Sequence, residues 1–119
     1  MPPDLEPQIA PDVRRYLRGS ALLVYERILR ISVMEDHKAG IPVRRVVVSN
    51  RKSWEGNFRE VAVHVMVGAS LPESLALWDA IGSTLGRWLK KQDEDIQRTF
   101  SEAFSVFVEP DRESSVRPS

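Results

Sequence analysis

The 119-residue chain contains no cysteine, and this alone excludes a disulfide-stapled scaffold, Cys-ligated zinc and a thiol nucleophile. It has no net charge either. Its 17 Lys and Arg balance 17 Asp and Glu, so the chain as a whole lacks the basic excess that accompanies phosphate-backbone binding. No apolar run approaches the roughly 20 residues needed to cross a bilayer. With 6 Gly and 8 Pro, collagen-like and low-complexity classes are also excluded. No GK[ST] or GxGxxG stands between a strand and a helix, and there is no GxSxG elbow, so phosphate cradling and serine hydrolysis have no motif to rest on. There is no internal repeat.

What remains is a composition of 42% hydrophobic and 29% charged residues, which can build a core. Four prolines within residues 1–11 and the polar run PDRESSVRPS at 110–119 predict two flexible tails around a single domain at residues 12–109. The acidic, Pro-broken start MPPDLEPQIAPD reads as neither a signal nor a transit peptide, so a cytoplasmic location is expected. Charge is unevenly distributed. Residues 1–59 hold 11 basic and 7 acidic groups, a surplus of +4, and residues 60–119 hold 6 and 10, a deficit of −4.

Periodicity predicts a first helix from about Asp12 to Lys38, stopped by Gly40 and Pro42 and weakened or restarted at Gly19-Ser20, with Ser20 as the new cap. Val13, Leu17, Ala21, Val24, Ile28 and Ile31 form its main apolar stripe. A second stripe, Leu22, Tyr25, Leu29 and Val33, lies about 120° around from it. Residues 43–49 and 58–67 are Val-rich strands of a hairpin, and Val61, Val63, Val65 and Val67 should face the helices. Ser70-Leu71-Pro72-Glu73 matches a capping box and starts a second long helix. Its inner stripe is expected to be Leu71, Leu75, Trp78, Gly82, Leu85 and Leu89, widened to one side by Leu77, Ile81 and Trp88. A short helix after Asp93 and a last strand at 104–108, ended by Pro110, complete the pattern. This order gives an α+β fold, a two-layer sandwich with helices packed on one face of a three-stranded sheet.

The order helix, strand, strand, helix, short helix, strand over residues 12–109 resembles the type II KH arrangement, including its ribosome-binding-factor branch, and equally a truncated ferredoxin-like domain. The KH resemblance implies RNA binding. KH domains that grip RNA carry a GxxG loop between their two central helices, and this chain instead has Gly82-Ser83-Thr84-Leu85-Gly86, one residue longer and set in a helical pattern.

Candidate chemistry is sparse. His64 shares a strand face with Glu60, but four strand residues span roughly 13 Å, so any partner for His64 must come from a neighbouring strand. Glu35-Asp36-His37 has metal-ligand residue types, yet consecutive helical residues diverge by about 100°, and a solvated helix end is the expected role. No metal, cofactor, small-molecule substrate or catalytic set is expected. The apolar surplus points to a non-enzymatic protein-interaction module, a homodimer or small subunit of an assembly, with Leu22, Tyr25, Leu29, Val33, Leu77, Ile81 and Trp88 at its interface. The alternative is nucleic-acid binding through a basic hairpin of Arg44, Arg45, Arg51, Lys52 and Trp54, where Trp54 would stack on a base.

Overall fold

The computed structural model describes residues 6–52 and 59–111. In chain order these form β1 (Gln8–Ile9), α1 (Pro11–Tyr16), α2 (Gly19–Ala39), β2 (Val43–Lys52), β3 (Arg59–Val67), α3 (Leu71–Leu89), α4 (Glu94–Ala103) and β4 (Phe104–Pro110). The class is α+β, as the pattern predicts. The sheet, however, has four strands rather than three, in the order β1-β2-β3-β4. Gln8 and Ile9, expected in a loose tail, pair in parallel with Val47 and Val48. Two residues are too short for the period-2 signal by which strands are recognised, and the prolines around them read as breakers. At the other end Asp111 is buried and its side chain meets Arg45 at 3.2 Å, so ordered structure continues two residues beyond the expected boundary.

The break in the first helix falls where propensity places it. Gly19 takes φ +55°, a backbone that other residues rarely adopt, and α1 and α2 are separate helices. Ser20 is not the cap; Arg18 occupies that position without a side-chain cap, and the Ser20 hydroxyl donates to Asp95 on α4. Gly40 closes α2 in the left-handed conformation at φ +69°, with its N–H on the His37 carbonyl. Gly40→Ala should therefore destabilise the chain by about 1–2 kcal/mol, as chemical denaturation would measure, because a Cβ strains this backbone although nothing crowds it.

β2 and β3 are antiparallel, with Val47 opposite His64, and β4 returns parallel to β3 with Phe107 opposite His64. Val61, Val63, Val65 and Val67 face the helices and are buried, as alternation requires. Val13 of α1, Leu17 between the two helices, and Ala21, Val24, Ile28 and Ile31 of α2 join them in the core. The α3 capping box forms in both directions: Ser70 Oγ accepts from the Glu73 amide, and Glu73 accepts from the Ser70 amide at 3.0 Å. The Ser70 amide, and the Ser70 hydroxyl that donates to Glu73 Oε1 at 2.9 Å, hold the Glu73 carboxyl below its ordinary pKa. Asp93 caps α4 by accepting from the Ile96 amide.

Two expectations about helix faces are corrected by the packing. On α3 the buried residues are Ser74, Leu77, Ile81 and Leu85, so the side that was expected to be a flank is the inner one. Ser74 hides this in the sequence: a buried serine looks polar, but its hydroxyl donates to the Ser70 carbonyl at 2.8 Å and costs little to bury. On α2 the end is not solvated. Glu35 and Asp36 are buried because they continue the stripe of Ile28 and Ile31 by one further turn, and only His37 of that run is exposed.

Candidate functional site

The rotation of α3 decides which apolar residues reach the surface. With Leu77, Ile81 and Leu85 turned to the sheet, Leu71, Leu75 and Trp78 are left 58%, 49% and 41% exposed. Steps of 4, 3 and 4 from Leu71 to Gly82 keep these residues and Gly82 within an arc of about 60°. They make one stripe along the helix, and Leu75, Trp78, Asp79, Gly82 and Ser83 line a shallow hollow on it. A Cβ added at Gly82 would meet nothing within 4 Å, so the glycine leaves the stripe open for a close approach from outside rather than filling a contact inside the chain.

The stripe continues onto the sheet margin. Trp78 packs on Phe107 of β4 with ring centroids 6.1 Å apart, and Phe107 stacks on His64 at 5.1 Å. His64 Nδ1 lies 3.3 Å from Glu109 Oε2, so its partner is a carboxylate on the neighbouring strand. Ser105 donates its hydroxyl to Glu60, and the serine and histidine on this face are thus each engaged with a different carboxylate. Among the described residues no three His, Asp or Glu side chains converge as a metal site.

Charge is ordered along α3. Glu73 and Asp79 lie in its first half, Arg87 near its end, and Lys90 and Lys91 just beyond, all exposed. The helix surface is acidic at one end and basic at the other, in the sense that complements the helix dipole.

The residues first expected at an interface are divided by the structure. Tyr25, Leu29, Leu77 and Ile81 lie in the chain's own core and are not available to a partner. Leu22 is exposed, Val33 half-buried, and Trp88 half-buried under the Arg27 guanidinium, which sits 5.4 Å from its ring centroid. Periodicity places Leu71, Leu75 and Trp78 in the core instead, since an apolar stripe of the right period cannot by itself show which side of a two-sided helix meets the sheet.

The basic-hairpin residues are likewise dispersed in role. Arg44 is exposed, while Arg45 reaches Asp111. Arg51 and Lys52 extend β2 opposite Glu60 and Arg59, with only their backbone described, and Trp54 lies outside the described residues. Gly82 and Gly86 are internal to α3, and the connection from Lys90 to Asp93 contains no glycine, so a GxxG loop between the two helices is not present. Among the described residues no helix is long and apolar enough to cross a membrane. Comparison of the chain with protein families, with curated proteins and with solved structures gives no match.

Proposed function

We propose that this chain is a protein-interaction module that assembles with a second copy of itself through the outward stripe of α3. The observation that carries this reading is the alignment of Leu71, Leu75 and Trp78 on one exposed face of a helix whose other face already fills the core. Burying a large apolar side chain is worth roughly 1.5–3 kcal/mol, and aromatic anchors in a hollow are typical of binding hot spots. A two-fold axis supplies each stripe twice.

Charge favours a second copy over an arbitrary partner. In an antiparallel pair of α3 helices, Glu73 and Asp79 of one copy face Arg87, Lys90 and Lys91 of the other, whereas a parallel pair sets like charges together. Gly82, near the middle of the helix, lets the two backbones approach where the axes cross.

The double substitution Leu75→Glu with Trp78→Glu is expected to give a folded monomer, because both side chains are exposed and carry no core packing. Light scattering reads the mass and circular dichroism the fold. An unchanged mass of assembly in the double variant would contradict the reading. So would a wild-type monomer that carries absorbance at 260 nm removable by salt, which is the signature of the basic-hairpin alternative.

A further inference from the structure

We infer that α1, with the ends of β2 and β3 beside it, forms a surface that binds single-stranded nucleic acid, with arginines on the phosphates and Tyr16 stacked on a base. This goes beyond self-association through α3 and does not depend on it.

α1 is short but firmly fastened. It follows directly on the β1–β2 pairing, where the Ala10 amide donates to the Val48 carbonyl at 3.0 Å. Asp12, the acidic residue of the helix, is turned inward: it accepts from the Val13 amide at 3.0 Å and from Asn50 Nδ2 of β2 at 2.7 Å. Val13 and Leu17 are buried on the core side. Successive helical residues step by about 100°, so Arg14, Arg15 and Tyr16 fan over the other side, and Arg18 follows in extended backbone. All four are exposed, Tyr16 by 41%. None of the three guanidinium groups has an ion-pair or hydrogen-bond partner among the described residues. The helix dipole accounts for Arg14 and Arg15 in the last turn. It does not account for Arg18, outside the helix, or for the exposed ring between the arginines.

The sheet extends the basic surface. Asn50, bonded to Asp12, lies on the helix-bearing face of β2, and backbone alternation puts Lys52 on that face too, roughly 7 Å further along. Lys52 stands opposite Arg59, which alternation from Val61 places on the same face. Glu60 falls on the other face, where it accepts from Ser105. Arg14, Arg15, Arg18, Lys52 and Arg59 are five of the 11 basic groups behind the positive surplus of residues 1–59. Against them stands Asp95 of α4, which accepts from the Ser20 hydroxyl two residues beyond Arg18, and the local balance stays positive.

Charge alone would suit any polyanion, and the ring decides the class. A base offers its flat face to Tyr16 only when it is not paired inside a duplex, while the phosphates on either side reach guanidinium groups, which bond phosphate oxygens in pairs. The carboxylates of an acidic protein segment supply the charge without a regular series of rings.

Fluorescence anisotropy of a labelled oligothymidylate, titrated with the full chain at several salt concentrations, tests the assignment. Affinity should fall with salt on a log–log slope of about −2 to −3.5, as roughly three to five phosphate contacts on a single strand give. Arg14→Glu with Arg15→Glu should lower affinity at least about tenfold and flatten the slope, whereas Tyr16→Ala should lower it at least about fivefold and leave the slope unchanged. All three side chains are exposed, and circular dichroism checks that the variants keep the fold. An oligoglutamate of equal charge should bind the native chain at least about fivefold more weakly than the oligonucleotide. No binding at low salt, or no effect of Tyr16→Ala in a folded variant, would overturn the assignment. Equal binding of the oligoglutamate would overturn it in favour of an acidic protein partner.

Discussion

Asp36→Asn is expected to remove a loss of stability that the native chain suffers as pH rises from acid to neutral. Asp36 is 1% exposed, and neither carboxylate oxygen has a hydrogen-bond partner among the described residues. Burial, reinforced by the neighbouring Glu35 charge, pushes its pKa up from 3.8 to about 7. The folded chain thus holds this proton more tightly than the unfolded one. Stability associated with Asp36 is fully present below pH 3.8, declines as pH rises, and is lost once pH passes about 7. A shift of about 3 units corresponds to roughly 4 kcal/mol, a large part of the 5–15 kcal/mol that holds a domain together. Asn has nearly the same shape and cannot ionise. The difference in unfolding free energy between the variant and the native chain should therefore grow in the variant's favour by up to about 4 kcal/mol between acid and pH 8, and then level off. Urea titrations of both chains across that range measure it. Parallel pH profiles would show that Asp36 is ionised and satisfied in the folded state.

The second large effect separates the two faces of α3. Ile81 is fully buried against the sheet, whereas Trp78, three residues earlier, is 41% exposed. Ile81→Ala leaves a cavity in a close-packed interior and should cost about 2–5 kcal/mol of unfolding free energy. Trp78→Ala should cost the isolated monomer far less, although it removes a larger side chain. Its effect belongs instead to assembly. Denaturation at a concentration where the chain is monomeric provides the comparison. Comparable losses from both substitutions would mean that the helix is rotated relative to the packing described above.

These two predictions also show which parts of the architecture are legible in the sequence. Val61 to Val67 alternate so strictly that only one face can be buried, and the capping box at Ser70 fixes the start of α3. Gly40, with its left-handed backbone, fixes the end of α2. The inner face of α3 was not legible, because the helix has two apolar stripes that share Leu85, and the one that is buried includes Ser74. The burial of Asp36 is hidden for a related reason. A charged residue near a helix end normally meets water, and here the core stripe that runs through Ile28 continues one turn further than polarity suggests. β1 escaped because two residues carry no period.

The candidate site was less legible than the fold. Leu71, Leu75 and Trp78 are prominent in the sequence as core candidates, and only the rotation of α3 turns them into surface. The contact from Trp78 through Phe107 to His64, and the pairing of His64 with Glu109, depend on β4 lying beside β3. A crossover through helices returns β4 parallel to β3 but does not by itself choose the strand beside which it lies.

The most direct test of self-association is sedimentation equilibrium of the full chain over a range of concentrations at moderate salt. The account predicts a mass that rises with concentration toward twice the 13.5 kDa of one chain, fitted by a monomer–dimer equilibrium. A single species of 13.5 kDa at every concentration, up to the millimolar range where even a weak contact of about 4 kcal/mol is half saturated, would contradict it.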